Sequence, residues 1–307
     1  MVSIDLSASA MAKIRFAVSP LWEAIASIRV LRDPGAHAIH LPWAGRMRGL
    51  RFPELFALVP PAPGYIPDFL TPTPRGPFAD LDEELEMLAA TPPAAAAGQA
   101  ALLGAPPPDP AALAAQIRAY FAAAIEPDWP RIRALLEAEV FARARRLAAD
   151  GVGGLLNDLH AQVTFADGTL SVLQRWCAAP DVPDGGDLVL VPSVFVWPSV
   201  LTVFGVAAQL AYPPRGVGAL WESPPAPPGA LGALVGRARA RLLTELAAPA
   251  STTVLAERTG LTAGGVSQHL AVLRAAGLVR THRCGRSVLN VRTAAAEALL
   301  TANGAAS

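Results

Sequence analysis

The sequence predicts an α+β domain over residues 1–220 and a small C-terminal domain over residues 231–307, in which helices are followed by a β-hairpin. A proline-rich linker, "WESPPAPPGA", joins them over residues 221–230. Three observations carry this reading. The 307 residues exceed the usual size of one domain, roughly 100–200 residues. A hydrophobic content of 52% with 16% charge supplies a core and excludes disorder of the whole chain. The spacing of apolar residues also changes along the chain: helical over 80–160, alternating from 161, and helical again from Gly229.

The elements follow in order. Ser19-Pro20 before "LWEAIASIRVL" reads as an N-cap and first helical residue. Residues 61–78, "PPAPGYIPDFLTPTPRGP", are too proline-rich for a helix and read as an extended surface strap. "DLDEELEML" places acids in a first turn, where the helix dipole favours them. "AATPPAAAAGQAALLGAPPPDP" reads as a flexible low-complexity loop. Within 128–160, Ile132, Leu135, Leu136, Val140 and Leu147 form an apolar stripe opposite Arg133, Glu137 and Arg143–Arg145, which predicts an amphipathic helix. "QVTFADGTLSVL" alternates around Asp167-Gly168, a hairpin signal. Leu188–Tyr212 carries no charge and is long enough to cross a bilayer, but Pro192 and Pro198 interrupt a run rich in Val and Phe. Buried strands suit it better than a membrane span.

From Gly229 the pattern tightens. "GALGALVGRARARLLTELAA" reads as one helix with Leu231, Leu234, Leu242, Leu243 and Leu246 in its core. "STTVLAERTG" is a short helix capped by Ser251 or Thr252 and stopped by Gly260. "LTAGGVSQHLAVLRAAG" is a third helix, capped by Thr262 and stopped by Gly277. "LVRTHRCGRSVLNV" alternates about a tip at Cys284-Gly285-Arg286, and "AAAEALLTA" is a last helix. Helix, short helix, turn, helix and β-wing is the winged helix-turn-helix plan, in which one helix enters the major groove of DNA and the wing reaches the backbone.

Charge agrees with that plan. Residues 231–307 hold nine arginines against three acids, a formal charge of +6, whereas residues 1–230 hold 16 basic and 22 acidic residues, a formal charge of −6. Only the C-terminal domain is thus expected to meet a polyanion, double-stranded DNA. Gly264-Gly265 could alternatively belong to a phosphate cradle, but such a loop follows a strand, and the preceding segment here is helical. In a first helical turn the two glycines instead remove side-chain bulk where DNA would approach, at about 1 kcal/mol each relative to Ala.

Residues 231–292 resemble the DNA-binding domain of ArsR-type repressors at Thr262, Val266, Ser267, His269, Leu270, Leu273, Ala276-Gly277-Leu278-Val279 and Gly285-Arg286. "PDFLTP", "PDWPRIRALLEAEV", "LVLVPSVFVWP" and "YPPRG" resemble a long domain found ahead of such wings in bacterial regulators. The resemblance implies a homodimeric, cytoplasmic repressor on a pseudo-palindromic operator. Thr262, Ser267, Gln268 and His269 would fall on the DNA-facing side of the reading helix, with Val266, Leu270 and Leu273 in the core and Arg280, Arg283 and Arg286 on the wing. Gln268 fits either an adenine edge or a phosphate. Metal-sensing members carry cysteines on the helix before the reading helix; "TTVLAERTG" has none, so no metal or other cofactor is expected.

Elsewhere, candidate chemistry is sparse. His37, His40 and His160 are read as structural rather than as metal ligands, since a site needs at least three ligands with supporting partners. Asp82, Glu83, Glu84 and Glu86 are read as a solvated helix start, Cys177 as a buried thiol, and Ser193 lacks the turn of a hydrolase nucleophile. Two cysteines and an N-terminus without a signal-like apolar run fit a cytoplasmic protein. All six tryptophans precede the linker or open it, and a subset of them suits a pocket for a small apolar effector. The chain is accordingly expected not to be an enzyme. The competing expectation is a catalytic N-terminal domain with an autoregulatory wing.

Overall fold

The computed structural model describes residues 2–62, 64–173, 187–204, 207–221, 229–284 and 287–304. The chain divides into two compact units, Met1–Trp221 and Glu222–Ser307.

The first unit runs β1 (Val2–Asp5), α1 (Ala8–Ala12), β2 (Arg15–Phe16), α2 (Pro20–Arg32), α3 (Leu41–Arg46), α4 (Pro53–Ala57), α5 (Leu81–Ala89), α6 (Pro93–Ala101), α7 (Pro110–Ala124), α8 (Trp129–Asn157), β3 (Val163–Ala166), β4 (Thr169–Val172), β5 (Leu188–Pro192), β6 (Leu201–Phe204) and β7 (Ala208–Tyr212). One sheet has the order β2-β5-β7-β6, with β6 antiparallel to β7 and the other pairs parallel. A second, antiparallel sheet has the order β1-β4-β3. Every residue of β5 and of β7 is buried. Val189 and Val191 face one core while Leu188 and Leu190 face another. A strand covered on both faces reads as a continuous apolar run, which accounts for the uncharged stretch at 188–212. Among the described residues, no helix is long and apolar enough to cross a membrane.

The first core surrounds α2. Ser19 caps this helix by accepting from the Trp22 N–H, Pro20 sits in its first turn, and Leu21–Val30 is buried without a break. Its polar members find partners: Trp22 Nε1 donates to Gln209 Oε1 at 2.9 Å, and the Ser27 and Tyr120 hydroxyls lie 2.6 Å apart.

Four sequence expectations are corrected here. The alanine-rich stretch is a helix, α6, because Ala96 and Ala100 are small enough to pack into the core, which propensity alone does not show. The proline-rich strap is pinned rather than superficial: Phe69, Leu70 and Thr71 are buried and Val18 pairs with Phe78. Glu84 is not solvated; it is 1% exposed, accepts from Ser19 Oγ at 2.5 Å and from the Leu21 N–H at 3.0 Å, and so completes the N-terminal cap of α2. Arg143 is likewise buried on α8, bonded to Glu139 and to Asp158 Oδ2 at 2.6 Å, while Glu139 also accepts from Arg215. Its partners lie off the helix face that periodicity sees. Further along α8, Gly151 adopts φ 68° and kinks the helix.

In the β3–β4 hairpin, Asp167 and Gly168 both take positive φ, 51° and 81°. Two successive left-handed residues match the strand twist in a two-residue turn.

The second unit comprises α9 (Gly229–Val235), α10 (Arg237–Glu245), α11 (Thr252–Thr259), α12 (Ala263–Ala275), β8 (Val279–Cys284), β9 (Ser287–Arg292) and α13 (Ala294–Gly304). The single helix expected at its start is broken: Gly236 takes φ 86° between α9 and α10. Leu234 consequently leaves the core and is 71% exposed, whereas Leu231, Leu242, Leu243 and Leu246 are buried.

Candidate nucleic-acid interface

The helices α10, α11 and α12 pack around Leu242, Leu243, Leu246, Leu255, Val266, Leu270 and Leu273. Apolar residues at 266, 270 and 273 occupy one stripe of α12, which fixes the opposite stripe outward. Ser251 caps α11 by accepting from the Val254 N–H, and Gly260 ends it in the left-handed region at φ 68°. A glycine after the last turn closes a helix without a Cβ penalty. Two residues later Thr262 caps α12, its hydroxyl accepting from the Gly265 N–H at 3.1 Å. Two caps separated by a short turn hold the helices at a fixed angle.

The two glycines of that first turn play different parts. A Cβ on Gly264 meets nothing within 4 Å, so this exposed position is open to the outside. A Cβ on Gly265 would stand 3.2 Å from Thr262 Oγ1, against the capping oxygen itself. Gly264 leaves room in front of the helix, and Gly265 leaves room for the cap. Ser267 and Gln268 are exposed on the same N-terminal half, while His269 is half-buried. The Thr262 hydroxyl is committed to capping, so it orients the helix before it touches anything else.

Strands β8 and β9 form an antiparallel ribbon in which Val279 faces Arg292, Arg280 faces Val291 and Arg283 faces Val288. Side chains alternate between faces along a strand. Arg280 and Arg283 therefore lie on opposite faces, a distinction that their shared place in the hairpin hides. Arg283 shares its face with Val279, Thr281 and Asn290, the side anchored to the rest of the unit. Asn290 is buried and bonds the Ala250 carbonyl, and Thr281 accepts from Arg274 of α12 at 3.2 Å. Arg280 shares the outer face with His282, and all three of Arg280, His282 and Arg283 are exposed. Arg286 lies outside the described residues.

Sequence reasoning missed two contributors. Arg274 ties α12 to the ribbon, and Arg241 donates to the Arg258 carbonyl, joining α10 to the end of α11. Helical spacing puts Arg274 on the flank of the apolar stripe, two turns on from Ser267, which was the available signal.

In the first unit the histidines are structural. Trp221 Nε1–H donates to His40 Nδ1 at 2.9 Å, which leaves Nε2 to carry the proton and donate to the Val194 carbonyl at 3.0 Å. Burial pushes the His40 pKa down to about 4, so the ring is neutral. His37 Nδ1 lies 2.6 Å from the Trp197 carbonyl, and His160 Nδ1 accepts from the Gln162 N–H. Among the described residues no three His, Cys, Asp or Glu side chains gather to hold a metal. Phe195, Trp197 and Trp221 pack around His40, and Trp43 packs on Phe195 and Trp221, filling that space with rings. Cys177 and Trp176 lie outside the described residues. Two buried carboxyls stand out: Glu23, bonded to the Val194 N–H at 3.0 Å, is pushed up to about 8 by burial, and Glu84 to about 7.

Residues 237–282 match a family model described as a helix-turn-helix domain. The match spans α10, α11, α12 and the start of the ribbon. The chain matches no curated protein and no solved structure. The C-terminal unit is a helix-turn-helix domain within a chain of mixed helix and strand, and such a domain marks the chain as a DNA-binding regulator.

Proposed function

We propose that the chain is an ArsR-type transcriptional repressor, cytoplasmic and not an enzyme, that binds a pseudo-palindromic operator as a homodimer. In this reading α12 enters the major groove, with Gly264, Gly265, Ser267 and Gln268 at the base edges and His269 behind them. The ribbon acts as a wing whose Arg280, Arg283 and Arg286 meet phosphate or minor groove. The observation that carries it is the bulk-free leading edge of α12, with exposed Ser267 and Gln268, in a unit that also presents the exposed Arg280 and Arg283. A formal charge of +6 on residues 231–307 supports a polyanionic partner. Dimerisation is inferred because one reading helix covers a half-site, and paired half-sites one turn apart, about 34 Å, multiply affinity.

The alternative, a catalytic N-terminal domain with an autoregulatory wing, draws no support from Glu23 and Glu84, the two carboxyls that burial pushes furthest up. At 0% and 1% exposure neither can meet a substrate unless the core opens. The test is binding of the chain to its own promoter region between 50 and 200 mM salt, with sedimentation of the complex. A steep fall in affinity and two chains per operator are expected. Weak, salt-independent binding would overturn the proposal.

A further inference from the structure

One cleft among the described residues of the first unit is lined by two arginines. It lies where the end of α2, α3, the α3–α4 turn and α4 meet, with a volume of about 210 Å³. Leu31, Met47, Leu50 and Phe56 supply apolar walls, and the only charged residues lining it are Arg48 and Arg51. No hydrogen bond or ion pair engages Arg48 among the described residues, and Arg51 spends one N–H on the Leu50 carbonyl. The turn carrying both arginines depends on Gly49, whose φ of 100° other residues rarely adopt. In a second cleft, beside Trp129, the one arginine is Arg133, already paired with Glu137 at 2.8 Å.

The two arginines stand over an apolar floor in a chain segment, residues 1–230, whose formal charge as a whole is −6. That excess repels a polyanion, so a second nucleic-acid surface is disfavoured here. The volume lies below the roughly 300–1,000 Å³ of drug-sized sites, so the occupant is small. Guanidinium groups pair with carboxylates through parallel N–H donors. The geometry points to a site for a small amphipathic carboxylate, its head on Arg48 and Arg51 and its apolar body against Leu31, Met47, Leu50 and Phe56. This rests on the regulator reading only in making that molecule the effector; the site itself does not.

The test is calorimetric titration of the full chain with octanoate, with octan-1-ol as the uncharged twin and acetate as the head alone. Octanoate is expected to bind saturably where neither control does. Arg48→Gln/Arg51→Gln should weaken it about tenfold or more, as loss of a charged pair does. Gly45→Phe offers a second variant. Gly45 lines the cleft on α3 and a Cβ there meets nothing within 4 Å, so the ring should abolish octanoate binding while leaving the urea midpoint unchanged, and full binding by a folded variant would overturn the site. Octan-1-ol binding as tightly as octanoate, or full octanoate binding by the double-arginine variant, would overturn the site. The same titration with operator present separates the two readings. Octanoate bound with operator affinity unchanged overturns the effector role alone. Octanoate bound by a chain that binds no DNA overturns the regulator reading and leaves the site.

Discussion

The pair Gly264 and Gly265 allows a test in which stability and affinity move in opposite directions. Replacing a helical glycine by alanine lowers the entropy lost on folding and gains up to about 1 kcal/mol. At Gly264 the new methyl meets nothing within 4 Å, so Gly264→Ala should stabilise the domain by most of that amount. At Gly265 the methyl would stand 3.2 Å from Thr262 Oγ1, in a cap whose bond is 3.1 Å long. Displacing the cap costs about 0.5–2 kcal/mol, so Gly265→Ala should be neutral or destabilising. Urea denaturation of each variant reads this difference. Operator binding should run the other way for Gly264→Ala. A methyl forced between helix and groove is an overpacking event of about 1–3 kcal/mol. At 1.4 kcal/mol per tenfold that is roughly a five- to hundredfold loss by fluorescence anisotropy. A Gly264→Ala protein that is more stable and binds its operator unchanged would refute the role given to this face of α12.

Other outcomes follow from the same geometry. Arg283→Ala and Arg280→Ala should each lower the slope of log affinity against log salt by about 1 if each meets one phosphate. Because the two lie on opposite faces of the ribbon, Arg283, on the face anchored to α12 through Thr281, should show the larger loss of affinity at fixed salt, and a larger loss at Arg280 would argue against that orientation of the ribbon. Glu23 holds its proton up to about 8 in the fold against an ordinary value of 4.5, so the folded state binds more protons and stability falls as pH rises through that interval. His40, lowered from 6.5 to about 4, has the opposite slope but only below pH 6.5. Between pH 6.5 and 8 the carboxyls dominate, and Glu23→Gln should remove a decline of roughly 2 kcal/mol; an unchanged slope in pH-dependent denaturation would count against it. Arg143→Met leaves Glu139 buried with only Arg215 to oppose it and should cost roughly 3–5 kcal/mol, whereas the double variant with Glu139→Leu should recover much of that.

What was legible in the sequence is what acts within one or two turns of chain. Ser19, Ser251 and Thr262 mark helix starts because a hydroxyl reaches an amide two or three residues on, and Asp167-Gly168 marks a turn because both residues tolerate positive φ. Helix α12 was legible for the same reason: Val266, Leu270 and Leu273 fix which side of it is buried, and Gly264, Ser267 and Gln268 are then exposed by elimination. Glu84 was not legible, because its partners Ser19 and Leu21 precede it by more than sixty residues. On helical spacing alone it belongs with its exposed neighbours. Arg143 fails in the same way through Asp158 and Tyr212, and α6 fails because two alanines find a core that composition does not reveal.

The cleft at Arg48 and Arg51 is the extreme case of this limit. Nothing in "RMRGLR" differs from an ordinary solvated loop, since two arginines beside a glycine are unremarkable on a surface. The pair acquires meaning only when Leu31 of α2 and Phe56 of α4 supply a floor and no carboxylate arrives to neutralise it. A DNA-reading helix can be recognised from the order of its own residues because its partner is an extended, regular polymer. A small-molecule site is assembled from segments whose proximity is a product of the whole fold, so its chemistry becomes visible only after the fold is known.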